Sequence, residues 1–321
     1  MPALLTHDYF GKDVYKRLPA GFSSVFEDEA SARDGYDLFL LGNQGPDPFF
    51  YTQMTPSFKI GKRFGSLMHR EKTSETLECL RRVTLSIPQP AQSLLLAYML
   101  GFVCHYTLDC IMHPFVFSQQ FAVCDAGVKG LDRRDGSIVH AQIEADLDMM
   151  MLHRRRGVGI SEYDYTDHVL MASEEGLALL DSFYQALAHE VYATDLFPAA
   201  FTQGVHDMRL TIRVLYSPRG IKRTLIGVVE RSVARHSFAQ AMSPRTDVGD
   251  TCDYDNQVHA EWTNPFNGAT SIAGFLDLYE QARIAALLNI EALLAGKPTL
   301  DITKGLNFEG STDPTTMGTT V

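Results

Sequence analysis

Residues 105–114 read HYTLDCIMHP and close one of the most apolar stretches of the chain, LLLAYMLGFVC over 94–104. On a helix, His105, Asp109 and His113 stand at i, i+4 and i+8, drifting by about 40° per step, so all three line one face. Imidazole and carboxylate on a helix that is apolar all round are costly unless something pairs them. A metal ion would do so. Imidazole with carboxylate and no thiolate suits zinc, while ligand type alone leaves manganese and iron open. The helical rise sets a limit, because His105 and His113 lie about 12 Å apart along the axis, too far to share one ion easily. Asp109, between them, could serve one ion or bridge two. A second pair stands in HAQIE, where His140 and Glu144 share a face one turn apart. Such a pair alone is an ordinary helix-surface contact. Two helices that each offer imidazole and carboxylate point instead to a metal site.

Positioning these residues requires helices, and helix signals recur along the chain while strand signals are nearly wanting. Apolar spacing of three and four predicts helices over 71–85, 91–113, 138–154, 166–192, 198–216, 219–240 and 271–295. Pro90, Pro198 and Pro218 precede or open helices, Pro114 is expected to stop one, and Gly296-Lys297-Pro298 closes the last. Segments 18–65 and 241–270, rich in Gly, Pro, Asp and Asn, read as long irregular loops. The expectation is an all-α protein. One large multi-helix domain would occupy residues 1–302, with a metal cluster in a cleft between helices, and 303–321 would form a poorly ordered C-terminal tail.

A chain of 321 residues with 45% hydrophobic content can bury a full core. Five cysteines without CxxC spacing are expected to be reduced thiols rather than a disulfide framework. The apolar run 94–104 is too short to span a bilayer, and residues 1–16 lack the pattern of a leader, so a soluble cytoplasmic protein without a transmembrane segment is expected. A formal net charge of −11 disfavours gripping double-stranded nucleic acid.

The early THDYFG, the loop LGNQGPDPFFY, His69, GFVCHYTLDCIMHP and HAQIEADLD together resemble the zinc-dependent phospholipase C family across roughly residues 1–155. The resemblance implies an almost wholly helical domain that holds up to three zinc ions in a cleft and hydrolyses phosphodiester bonds. Carried over by position, it makes Asp47, His69, His105 and Asp109 ligands of a first zinc, and His113, His140 and Glu144 those of a second. His7 would serve a third, with Asp109 as the bridge. Asp47 also becomes the candidate base that orients or deprotonates water. Secreted relatives complete the third site with a terminal tryptophan amine; this chain begins MPALLTH, so something other than the terminal amine is expected there. The implied substrate is a phospholipid or small choline-like phosphodiester. Single-strand nucleases share the fold, so fold alone leaves that substrate open, and a non-catalytic helical protein with structural zinc is the reading from another class. The adjacent dyads His7-Asp8 and His206-Asp207 would suit an HD-type phosphohydrolase, which leaves the 105–113 face unexplained. The run Phe49-Phe50-Tyr51 reads as core or as a pocket wall facing a cation.

Overall fold

A computed structural model describes residues 3–19, 26, 28–54 and 58–316. The order is α1 (Leu4–Tyr15), α2 (Glu29–Gly42), a 3-10 segment (Asp47–Met54), α3 (Phe58–Arg70), α4 (Thr73–Ser86), α5 (Ala91–Asp125) and a 3-10 turn (Arg133–Asp135). There follow α6 (Gly136–Arg156), α7 (Glu174–Tyr192), α8 (Ala200–Leu215), α9 (Ile221–Arg231), α10 (Phe238–Met242), α11 (Phe275–Leu294) and α12 (Thr299–Thr303). The only strands among the described residues are β1 (Trp262–Thr263) and β2 (Thr270–Ser271), paired antiparallel. The fold is all-α, as expected.

Local signals explain most boundaries. Asp28 caps α2 by accepting from the Ser31 amide at 2.8 Å, and Ser173 caps α7 by accepting from the Gly176 amide at 3.1 Å. Gly157, at φ +71°, ends α6 and donates its amide to His153 O. Three expectations fail for physical reasons. Pro114 does not stop α5, which continues to Asp125. A proline inside a helix costs about 3 kcal/mol by removing one bond and crowding the preceding turn, and full burial of Phe115 and Val116 immediately after it offsets that cost. The supposed loop 18–65 contains α2 and α3, whose glycines read as loop punctuation. The predicted helix 219–240 is two, because Ser237 caps a new helix, α10, by accepting from the Gln240 amide at 3.0 Å. Residues 166–173 lie outside helix altogether.

The tail also departs from expectation. Residues 304–316 are tied down: Leu306 bridges Thr312, Asn307 accepts from the Glu309 and Ser311 amides, and Phe308 is fully buried. Residues 317–321 lie outside the described residues. Extended by its passage through Pro114, α5 is long and apolar enough to cross a membrane by length and composition, and 78% of that apolar window is buried within the structure.

The chain divides into two compact units. One takes the start of the chain to Thr6, Met112–Val169 and Leu210–Glu280; the other takes His7–Ile111, Leu170–Arg209 and Gln281 onward. The core of the second is aromatic. Phe49 meets Phe64 and Tyr184 edge-on at 5.0 and 4.9 Å, and Tyr184 stacks on Phe201 at 4.5 Å. Within this unit, glycines let backbones touch. A Cβ on Gly101 of α5 would fall 2.0 Å from Phe39 O of α2, and one on Gly42 would fall 2.3 Å from Tyr98 O. On α3, Gly61 and Gly65 face the 3-10 segment, where a Cβ would meet Thr52 Oγ1 at 2.3 Å and Phe49 Cβ at 3.1 Å. In the first unit, the buried Asp148 of α6 accepts from the amides of Leu5 and Thr6 at 2.9 and 2.8 Å, satisfying the open first turn of α1.

The close crossing of α2 and α5 is testable. Gly101→Ala should force the two helices apart and destabilise the protein by about 2 kcal/mol, read as a lowered urea midpoint. An unchanged midpoint would contradict the crossing.

Candidate metal centre

In the second unit, four segments converge on one buried set of side chains. His7 comes from α1, Asp47 opens the 3-10 segment, His69 sits in the last turn of α3, and His105 and Asp109 stand one turn apart on α5. His69 is the third member of the Gly61, Gly65, His69 face of α3, so the glycines that admit the 3-10 segment also bring His69 to Asp47. His69 Nε2 lies 3.1 Å from Asp47 Oδ1 and 3.9 Å from Asp109 Oδ2. Asp109 is the hub, with Oδ1 3.0 Å from His7 Nε2 and Oδ2 3.3 Å from His105 Nε2. The rings of His7 and His105 are 4.5 Å apart, and those of His69 and His105 5.9 Å apart, edge to face.

Second partners orient these rings. His105 Nδ1 donates to Asn43 O at 3.0 Å, and His69 Nδ1 donates to Gly65 O at 2.8 Å. A carbonyl can only accept, so both rings carry their proton on Nδ1 and turn the Nε2 lone pair into the cluster. Asn43 is delivered by the Gly42–Gly101 crossing. Gly45, at φ +46°, brings the following backbone so close that a Cβ there would lie 2.4 Å from the His105 ring. The Gly45 carbonyl is fixed in turn by the hydroxyls of Tyr98 and Tyr184, at 3.3 and 3.2 Å. Phe308 closes the far side, 5.2 Å from the His69 ring and 5.6 Å from that of His105.

Electrostatics match this arrangement. Burial pushes the His105 imidazole down to about 4, so it is neutral and its Nε2 is free to donate a lone pair. Burial opposes the charge of Asp47, yet the neighbouring His69 and His105 side chains outweigh it and hold the carboxyl below its ordinary value.

In the first unit, α5 supplies His113 and α6 supplies His140 and Glu144. Glu144 Oε1 lies 3.3 Å from His140 Nε2 and 3.6 Å from His113 Nε2. His140 Nδ1 donates to Gln120 Oε1 at 2.9 Å, which again leaves Nε2 for the cluster. Burial lowers the pKa of His140. Phe117 packs on the rings of His140 and His113 at 5.0 and 6.0 Å, and Phe266 packs on Phe117 at 5.4 Å.

All eight residues singled out in the sequence therefore fall into three groups able to hold a metal ion: His7, His105 and Asp109; Asp47, His69 and His105; His113, His140 and Glu144. Within each group the ligand atoms lie within 4.8 Å of one another. The donor set fits zinc on a specific observation. His105 Nε2 is wholly buried and makes no hydrogen bond, a state that costs free energy unless a cation accepts the lone pair. The HD-type dyads do not assemble, since Asp8 pairs with Lys12 at 2.5 Å and the half-buried His206 stands 3.7 Å from Glu174. Met1 and Pro2, on which the expectation about the terminal amine turned, lie outside the described residues. Sequence reading missed Asn43, Gly65 and Gln120 as orienting partners, and Phe308. Gln120 stands seven residues after His113 on the same helix face and was findable by that spacing; Phe308 left no signal. Of the aromatic run, Phe49 is core, whereas Phe50 lies 5.1 Å from the His69 ring.

Compared with known proteins, the chain matches the family model described as zinc dependent phospholipase C over residues 6–194, more than half its length and a span that holds all eight residues. No curated protein and no solved structure matches it.

Removing metal should leave Asp47, Asp109 and Glu144 buried without a compensating cation. The chelated protein should therefore melt at a lower temperature than the zinc-loaded one, and His105→Ala and His140→Ala should each reduce zinc bound per chain by elemental analysis. Wild-type zinc content in both variants would overturn the assignment.

Proposed function

This chain belongs to the zinc dependent phospholipase C family, and on that premise we propose that it is a phosphodiester hydrolase of the phospholipase C type, in which water attacks the phosphorus of a phospholipid or a small choline-like phosphodiester. The observation that carries this reading is the buried, unbonded Nε2 of His105, 3.3 Å from the Asp109 carboxylate. When bound, zinc supplies positive charge for the phosphoryl oxygens and lowers the pKa of water from 15.7 to about 7.

The chain's own residues do the rest. His105, His69 and His140 turn Nε2 toward the clusters because each Nδ1 proton is committed to Asn43 O, Gly65 O or Gln120 Oε1. Asp109 and Glu144 supply the negative charge that holds a cation among these imidazoles. Asp47, kept ionised and steadied by His69, orients the attacking water and takes its proton. Phe50, beside His69, and Phe117, beside His140, exclude bulk water from the two clusters. A net charge of −11 favours a small or lipid phosphodiester over a long polyanion.

At equal protein and zinc, a chromogenic phosphocholine ester should be hydrolysed faster than single-stranded DNA. Asp47→Asn should lower kcat by about a hundredfold or more while most of the zinc stays bound. Faster cleavage of DNA, abolished in Asp109→Asn, would assign a nuclease; no hydrolysis of either substrate by fully zinc-loaded protein would assign a structural metal.

A further inference from the structure

Helix α9 is amphipathic in reverse. Two of its charged side chains turn inward: Arg223 donates to Ser243 O and to Gln142 Oε1, both at 3.1 Å, and Glu230 accepts from Ser237 Oγ at 2.6 Å and the Ala239 amide at 3.0 Å. Gly227 is pressed against Gln240 so closely that a Cβ would lie 2.3 Å from Gln240 Oε1. The apolar side chains turn outward. Ile221, Leu225, Val228 and Val229 are 61%, 59%, 59% and 69% exposed, and Val233 just beyond the helix is 88% exposed. Spaced at i, i+4, i+7 and i+8, the four helical residues form one continuous stripe, which a soluble surface rarely tolerates without a partner.

Charge identifies the partner. Residues 217–236 carry five lysines and arginines against the single acid Glu230, inside a chain whose net charge is −11. Glu230 is consumed in capping α10. Arg219, Lys222 and Arg231 are exposed and meet no acidic side chain among the described residues. Arg235 stands 3.5 Å from Asp132. An apolar stripe flanked by unpaired cations matches the boundary of an anionic bilayer, where aliphatic side chains enter the acyl region and basic ones reach the phosphates. We propose that α9, with Arg219 before it and Val233 after it, is a docking surface for membranes that contain anionic phospholipid. The hydrogen bond from Arg223 to Gln142 ties this helix to α6. The choice of lipid rests in part on the proposed phospholipase reading.

The test is vesicle flotation of the full-length protein, a measurement that involves no hydrolysis and so stands or falls separately from that reading. Vesicles of phosphatidylcholine mixed with phosphatidylglycerol should retain the protein about tenfold or more tightly than phosphatidylcholine alone, and salt should weaken the retention. The double variants Leu225→Glu with Val229→Glu, and Arg219→Glu with Lys222→Glu, should each lose about tenfold or more of this binding. Their melting temperature and their hydrolysis of a soluble ester should be unchanged, since all four side chains are exposed. Wild-type binding in both variants, or no preference of the native protein for the anionic vesicles, overturns the proposal. So does light scattering that shows a dimer split by the Leu225→Glu, Val229→Glu pair, which would make a second copy the occupant.

Discussion

Five imidazoles and three carboxylates sit where water barely reaches, and most of the structure follows from that one condition. Desolvated acids and bases are tolerated only when each polar atom has a partner or a cation. Here the partners come in two tiers. Carboxylates face the inner nitrogens of the rings, while backbone carbonyls of Asn43 and Gly65, and the amide oxygen of Gln120, take the outer protons. Ring orientation is therefore set by groups that cannot ionise, and it does not change when the inner partners do.

Placing carbonyls against buried rings demands backbones nearer than side chains permit. Glycine provides this at each approach: Gly42 and Gly101 where α2 meets α5, Gly61 and Gly65 where the 3-10 segment meets α3, and Gly45 against His105. The aromatic cluster of Phe49, Phe64, Tyr98, Tyr184 and Phe201 supplies the rigid wall behind these contacts. A packing density close to that of a crystal leaves little room for the donors to drift.

The sequence disclosed which polar residues gather better than it disclosed the frame around them. His105, Asp109 and His113 were legible because an uninterrupted apolar helix makes any polar residue conspicuous, and helical rise alone separated the first from the last. That separation holds, since His105 and His113 belong to different clusters. Residues 18–65 misled because the glycines of α2 and α3 that look like loop punctuation are the packing surface itself. Pro114 misled for the opposite reason, as burial of Phe115 outweighed a local rule. The segment after Thr303 looked dispensable on composition, yet one aromatic residue, Phe308, fixes it to two ligand rings.

Asp109 touches His7, His69 and His105 at once, and this has an evolutionary consequence. Energies of residues that share a partner do not add, so the first loss at such a node spends most of the benefit of the whole group. Selection then has little grip on the remaining members. Descendants of this chain are expected to carry the node entire or to have shed it as a block, with half-eroded versions short-lived, whereas the cluster built on Glu144 can decay on a schedule of its own.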